Sequence, residues 1–143
     1  MFEEVLVKYN FKGIFTFNKL DNLTEKCNAP TDFSGIYLIY DNTELLYIGS
    51  SGQKINGILK TRKSNLGGIK DRIVNGYHPK FGKIRRKIIF HEIMELENIK
   101  ELTFFWYITY DYKINFDFPT DIEKKLTDIY TSEFEKLPRW HKK

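Results

Sequence analysis

The fold of this chain is constrained most by two short apolar runs, which are rich in Ile, Leu and Tyr and are separated by a polar turn. The first run begins with Gly-Ile-Tyr at residues 35–37, and the second ends with Tyr-Ile-Gly at residues 47–49. Residues 41–44 between them read Asp-Asn-Thr-Glu, and Asn and Asp tolerate a tight turn and hydrogen-bond its backbone. The pattern predicts a β-hairpin with Tyr37 and Tyr47 on neighbouring strands. With a three-residue loop the two side chains would face each other about 5 Å apart on one side of the sheet.

A glycine stands close to each tyrosine, Gly35 in the first run and Gly49 in the second. Each removes a side chain beside a tyrosine, as the close approach of a ligand to the backbone requires. The two intact tripeptides, in this order, resemble the signature of the GIY-YIG nucleases, a family of metal-dependent DNA endonucleases. The resemblance implies an α/β (α+β) domain over residues 34–143, with a central three-stranded antiparallel sheet flanked by helices. Residues 1–33 are then expected to form an amino-terminal accessory segment.

The length and composition of the chain set broader bounds. The 143 residues suffice for one domain with its own core, and a hydrophobic content of 41% indicates a globular chain. The single cysteine, Cys27, has no disulfide partner within the chain, which fits a reducing cytoplasm. The sequence has no apolar run of about 18 residues and no basic-then-apolar leader, so we expect neither a membrane span nor a secretory signal.

Positive charge is concentrated in one part of the sequence. Residues 54–87 contain eleven Lys and Arg against one acidic residue, a balance of +10, whereas the rest of the chain carries −6 from 12 basic and 18 acidic residues. Such segregation is typical of a surface that binds phosphates, although charge runs are also common in solvated, mobile loops. We expect this segment to contact DNA. The candidate DNA contacts are Lys54, Lys60, Arg62, Lys63, Lys70, Lys83, Arg85 and Arg86.

Residues 50–66, which follow the second run, are rich in Gly, Ser and Lys. They predict a long loop, and loops of this length in compact domains are usually functional or mobile. In the GIY-YIG family a shorter link is common, and insertions here occur in some restriction-type members. The length of this segment therefore favours the restriction-type branch.

A short helix is predicted at residues 67–76, with two isoleucines four residues apart on its buried side. Arg72 on this helix resembles the arginine that follows the hairpin in the family. A guanidinium suits a scissile phosphate because its fork donates two parallel hydrogen bonds to phosphate oxygens. The alternative is a surface arginine paired with Asp71. His78 lies just beyond, where it could orient the attacking water or serve as a plain turn residue before a proline.

Two further elements are predicted in the middle of the chain. Residues 81–101 have helical spacing, a basic first half and an acidic second half, which predicts a helix with its basic end toward DNA. Residues 102–110 form a dense aromatic and β-branched run, which predicts the third strand of the sheet.

The last predicted helix begins near Thr120 and carries an apolar stripe that ends at Leu137. At about 100° per residue, Glu123 falls within this stripe, and a buried carboxylate is costly unless it is paired or binds a metal. Glu123 resembles in position the glutamate that binds the single divalent cation in the family. Two alternatives stay open: Thr120 and Glu123 also fit a capping box, and Glu133 falls on the same stripe.

The resemblance implies hydrolysis of a DNA phosphodiester by an activated water. Tyr37 would be the general base or water-orienting group, and Tyr47 is the alternative residue for that role. Because the pKa of a free tyrosine is about 10, a phenolate needs nearby positive charge. Arg72 would clamp the scissile phosphate, and Mg²⁺ or Mn²⁺ on Glu123 would act as Lewis acid.

One position departs from the family pattern. The family closes with a proline and an asparagine, whereas here Pro138 is followed by His141, about six residues late. As a supporting residue, His141 could supply the hydrogen bond of the asparagine. The alternative function is therefore a catalytically impaired DNA-binding module of the same fold. The expected partner in either case is double-stranded DNA, and a homodimer would provide the two active sites needed to cut both strands.

Overall fold

A computed structural model of the chain describes residues 1–60, 68–78 and 83–141. Within these ranges the chain is a mixed α/β protein with five helices and six strands. In chain order the elements are α1 (Glu3–Leu6), β1 (Lys12–Asn18), α2 (Leu23–Lys26), β2 (Ser34–Asp41), β3 (Glu44–Ser50), β4 (Gln53–Ile55), β5 (Ile58–Lys60), α3 (Gly68–Asn75), α4 (Arg86–Leu96), β6 (Glu101–Tyr110) and α5 (Pro119–Phe134).

The central sheet has four antiparallel strands in the order β1-β6-β2-β3, so the prediction of three strands is wrong. The additional strand, β1, comes from residues 1–33, which were expected to form only an accessory segment. It pairs with β6 over seven residues and points Phe15 and Phe17 into the core. Alternation of buried aromatic and more exposed residues makes this stretch a typical half-buried strand.

Helices cover both faces of the sheet and enclose two core clusters. One face buries Tyr37, Ile39 and Phe104 against residues of α3 and α4. The opposite face buries Ile36 and Leu38 against residues of α1 and α5. Because neighbouring residues of a strand point to opposite faces, β2 contributes to both clusters in alternation.

The hairpin of β2 and β3 forms as predicted, but its register differs from the expected one. Its loop has two residues, Asn42 with a positive φ of 54° and the residue after it, and a bulge follows Ile39 in the ladder. Tyr37 is paired with Gly49, and Tyr47 with Ile39. The two tyrosines therefore lie on the same face as diagonal neighbours, not directly opposite each other.

The predicted long loop at residues 50–66 contains a second hairpin. Strands β4 and β5 pair with each other outside the main sheet, joined by Asn56 and Gly57 with φ of 52° and 75°. Two successive positive φ values are those of a type I′ turn, which favours Asn-Gly because its backbone twist matches that of the strands. Residues 61–67 of the predicted loop lie outside the described residues.

The helices that follow are close to the predicted ones. The helix expected at residues 81–101 is α4, which is shorter and buries Phe90, Ile93 and Met94, while Ile88 is exposed. The helix expected after Thr120 is α5. No helix in the described part of the chain is both long and apolar enough to cross a membrane.

Candidate active site

The two tyrosines of the hairpin pack together on the face of the sheet that α3 and α4 cover. Their ring centroids are 6.0 Å apart, and the side chain of Tyr37 is fully buried. A Cβ on Gly49 would lie 2.3 Å from Cζ of Tyr37, and a Cβ on Gly35 would lie 1.9 Å from the carbonyl oxygen of Tyr107. The expectation that these glycines leave room for a ligand is therefore wrong. The protein itself fills both spaces.

This packing makes Gly49→Ala a destabilising substitution. The added methyl group must displace the Tyr37 ring, and overpacking of this kind costs about 1–3 kcal/mol of unfolding free energy. Urea denaturation of the wild type, Gly49→Ala, Tyr37→Leu and the double variant measures the effect. The cost of Gly49→Ala should be smaller in the Tyr37→Leu background, and equal costs in both would contradict the steric explanation.

The hydroxyl groups of the pair differ in their surroundings. The Tyr37 hydroxyl is buried and has no hydrogen-bond partner among the described residues. Burial raises the pKa of Tyr47 to about 12, and the nearby Tyr37 and Glu123 act in the same direction, against the charges of Arg86 and Arg72. Tyr47 therefore keeps its proton at neutral pH and can donate a hydrogen bond.

An arginine that the sequence placed among DNA contacts lies inside this site. Arg86 is only 1% exposed, and its Cζ lies 5.4 Å from the ring centroid of Tyr37 and 5.1 Å from that of Tyr47. Its Nη1 donates a hydrogen bond to the backbone oxygen of Arg72 at 2.7 Å. The expectation of an open, DNA-facing position for Arg86 is therefore wrong. Its place in a basic run gave no signal that distinguishes it from Arg85.

Arg72 lies on α3, as the sequence predicted, and its side chain is half-buried. Its positive charge lowers the pKa values of both Glu123 and Tyr47, although burial outweighs it at both groups. The Arg72 guanidinium therefore interacts electrostatically with the Glu123 carboxyl on α5 and the Tyr47 hydroxyl on β3. Asp71, the alternative partner of Arg72, accepts a hydrogen bond from the Asn75 amide at 2.8 Å.

Glu123 projects from the first turns of α5 toward the end of β3. Its Oε1 accepts a hydrogen bond of 2.5 Å from the Ser50 hydroxyl. Burial raises the pKa of the Glu123 carboxyl, while the Ser50 hydrogen bond and the charge of Arg72 oppose that shift. The N-cap of α5 is Phe118, and no side chain caps this helix end, so the alternative capping box is not formed. Glu133, the other acid on the predicted stripe, is exposed.

The side-chain oxygen atoms of Glu123 and Ser50 suit a hard divalent cation. No group of three or more His, Cys, Asp or Glu side chains placed to hold a metal occurs within residues 1–60, 68–78 and 83–141. Glu123 and Ser50 nevertheless present a carboxylate and a hydroxyl side by side. Mg²⁺ keeps most of its waters and is commonly held by one or two carboxylates together with substrate phosphates. The residues present fit such a site with Glu123 as its one carboxylate.

His141 packs against Tyr47, the second tyrosine of the hairpin. Its ring packs on Tyr47 with centroids 4.6 Å apart, and its Nε2 accepts a hydrogen bond of 3.0 Å from the backbone N–H of Ile48. Burial lowers the pKa of His141 to about 4, so the ring is neutral and can accept this bond. His141 thus accepts a hydrogen bond from the backbone of β3, and its role in place of the family asparagine stays a prediction.

The lowered pKa of His141 makes the folded protein sensitive to acid. In the unfolded chain this histidine binds a proton below its ordinary pKa of 6.5, whereas in the folded chain it does so only near pH 4. Stability is therefore expected to fall as the pH decreases from 6.5 to 4. In urea denaturation at several pH values, His141→Asn should show a shallower decrease than the wild type over this interval. Parallel curves would contradict this assignment.

The structure places the remaining predicted residues in different surroundings. His78 is 1% exposed, with its ring 4.8 Å from that of Trp140 and 6.3 Å from that of Phe90, so it lies in the core. Lys54 pairs with Asp121 at 3.4 Å. Lys60 and Lys83 are exposed, Lys70 and Arg85 are half-buried, and Arg62 and Lys63 lie outside the described residues.

Comparisons with known proteins give no relative for this site. No family model matches the chain, and no match is found among curated proteins or solved structures.

Proposed function

We propose that this chain is a metal-dependent DNA endonuclease of the restriction type, which hydrolyses phosphodiester bonds by a GIY-YIG mechanism. One observation carries the proposal: a tyrosine pair, an arginine and a glutamate from four elements converge. The pKa of Tyr47 responds to Tyr37, Arg72 and Glu123, which are supplied by β2, α3 and α5. These are the side chains that the resemblance assigns to catalysis.

Tyr37 is the general base in this proposal. Its hydroxyl has no hydrogen-bond partner among the described residues, so it is available to a water molecule that the substrate brings into position. Tyr47 keeps its proton, because burial raises its pKa to about 12, and it therefore serves as a hydrogen-bond donor. The difference in surroundings gives the two tyrosines distinct roles.

Arg72 and Glu123 act on the phosphate. Arg72 donates hydrogen bonds from its fork to the oxygens of the scissile phosphate and stabilises the charge that develops there. Glu123 would hold Mg²⁺ or Mn²⁺, and Ser50 orients its carboxylate through their hydrogen bond. When bound, the cation supplies Lewis-acid stabilisation of the phosphate and of the leaving oxygen. A homodimer would place two such sites on double-stranded DNA, so that each site could cut one strand.

A second candidate function is a DNA-binding module of the same fold without cleavage. The observation in its favour is the complete burial of Tyr37, since a general base must reach water. The replacement of the family asparagine by His141 favours it as well. DNA binding is common to both candidates, and only cleavage distinguishes them.

Incubation of supercoiled plasmid with the purified chain tests the proposal. We expect nicked and linear products with Mg²⁺ or Mn²⁺ and none with EDTA, and discrete fragments would indicate a restriction-type enzyme. In parallel, the affinity for a double-stranded oligonucleotide should fall linearly with salt on logarithmic axes, because Lys and Arg displace counterions. Salt-dependent binding without cutting would refute the nuclease and leave the DNA-binding module as the remaining candidate. Absence of DNA binding would refute both candidate functions.

A further inference from the structure

The buried guanidinium of Arg86 has no counterpart in the set of residues that the resemblance supplies. It lies at the start of α4, with its Cζ 5.4 Å from the ring centroid of Tyr37 and 5.1 Å from that of Tyr47. A cation within about 6 Å of an aromatic ring face is attracted to it, and more strongly where water is excluded. One buried cation therefore contacts both tyrosines of the hairpin.

Backbone contacts fix this guanidinium in place. Nη1 of Arg86 donates to the carbonyl oxygen of Arg72 at 2.7 Å, and the Arg86 backbone N–H donates to the Gly76 carbonyl oxygen at 2.9 Å. A Cβ on Gly76 would lie 2.3 Å from Nη1, so the guanidinium occupies the space that this glycine leaves. Arg86 thus joins the helix that carries Arg72 to the tyrosine pair.

Within the described part of the chain, the charge of Arg86 is not neutralised by a carboxylate. Among the described residues no salt bridge involves Arg86, and its Nη2 has no hydrogen-bond partner. Burying a charge without a partner is costly, so purely structural packing would be served better by an apolar side chain. The charge is therefore available to hold the two neighbouring tyrosine rings by their faces.

We propose that Arg86 is a positioning residue of the site, whose buried guanidinium fixes the rings of Tyr37 and Tyr47 in the orientation that the reaction needs. The inference rests on the proposed nuclease function. The other charged or titratable groups near Tyr47 are Arg72, Glu123 and the neutral His141. Arg86 differs from Arg72 in being buried and anchored to the backbone, so it does not touch the substrate.

The test compares Arg86→Met, which removes the charge, with Arg86→Lys, which keeps it. In single-turnover plasmid cleavage, Arg86→Met should be at least about tenfold slower at saturating DNA, because misplaced reacting groups slow the step, while the DNA concentration that gives half the maximal rate should not change. Arg86→Lys should retain a rate close to that of the wild type. The slope of affinity against salt should be the same for all three, because a buried side chain neutralises no phosphate.

Two results would overturn the inference. A salt slope reduced by about one in Arg86→Met would make Arg86 a phosphate contact. An equal loss of activity in Arg86→Met and Arg86→Lys, together with lower stability of both, would make it structural only. If Arg86→Met does not fold, Arg86→Gln takes its place in the same comparison.

A readout without cleavage separates this inference from the nuclease function. In the protein labelled at tyrosine ¹³Cζ, with signals assigned from Tyr37→Phe and Tyr47→Phe, the signals of both tyrosines should move in Arg86→Met and stay close to those of the wild type in Arg86→Lys. Unchanged signals in an enzyme that cuts DNA refute the role of Arg86 alone. Shifted signals in a protein that never cuts DNA refute the nuclease and leave the contact of Arg86 with the tyrosines intact.

Discussion

Glu123→Gln is expected to lower the rate of Mg²⁺-dependent plasmid cleavage by at least about 100-fold. Even residues that only orient a metal ligand cost roughly 10–100-fold when removed, and the ligand itself should cost no less. Glutamine keeps the shape of the side chain and an oxygen that can accept the Ser50 hydrogen bond. It removes the negative charge that the cation requires.

The stability of this variant should move in the opposite direction from its activity. Burial raises the pKa of Glu123, so the folded protein binds this proton more readily than the unfolded chain does. Stability is therefore lost as the pH rises from the ordinary pKa of 4.5 through the raised pKa of the folded protein, and a neutral glutamine avoids that loss. At neutral pH, Glu123→Gln should unfold at the same or a higher urea concentration than wild type.

Glu133→Gln is the matched control for this substitution. It makes the same chemical change on the same helix at an exposed position, and we expect wild-type cleavage and stability. Titration with Mn²⁺ at fixed DNA concentration gives the apparent metal affinity of each variant. Wild-type cleavage by Glu123→Gln, or equal losses in the two variants, would remove Glu123 from the metal site.

The sequence predicted the elements whose signals are local. The apolar runs on either side of Asp-Asn-Thr-Glu were sufficient to predict the hairpin, and the spacing of Ile69 and Ile73 was sufficient to predict α3. The hairpin of β4 and β5 was missed although its signal is present. Asn56 and Gly57 stand between isoleucines, and Asn-Gly between apolar residues is the strongest short-range indication of a hairpin.

Features that depend on how the elements pack could not be predicted. The helical stripe of α5 contained Glu123 and Glu133 alike, and only the docking of α5 beside Ser50 distinguishes them. Arg86 illustrates the same limit more strongly. Its distance from the tyrosines is set by the way α3 and α4 pack on the sheet, and no spacing in the sequence encodes that arrangement.

Tyr37→Phe is the second substitution with a large expected effect on cleavage. A positioned general base contributes about 10²–10⁴-fold to a rate, and we expect a loss in this range. The variant loses one buried hydroxyl that has no hydrogen-bond partner among the described residues. Because an unpaired buried polar group is unfavourable, the free energy of unfolding should stay unchanged or increase. Tyr40→Phe, on the opposite face of the same strand, is the control and should cut normally.

Tyr47→Phe decides which tyrosine is the base. Tyr47 is expected to act as a donor, since burial raises its pKa to about 12, and loss of one hydrogen bond should reduce cleavage less than Tyr37→Phe does. Single-turnover rates at several pH values for both variants make the comparison independent of product release. If Tyr47→Phe abolishes cleavage while Tyr37→Phe keeps it, the roles are reversed. Substrate binding must then lower the pKa of Tyr47 far enough for its phenolate to form, and Arg86 and Arg72 are the charges within reach to do so.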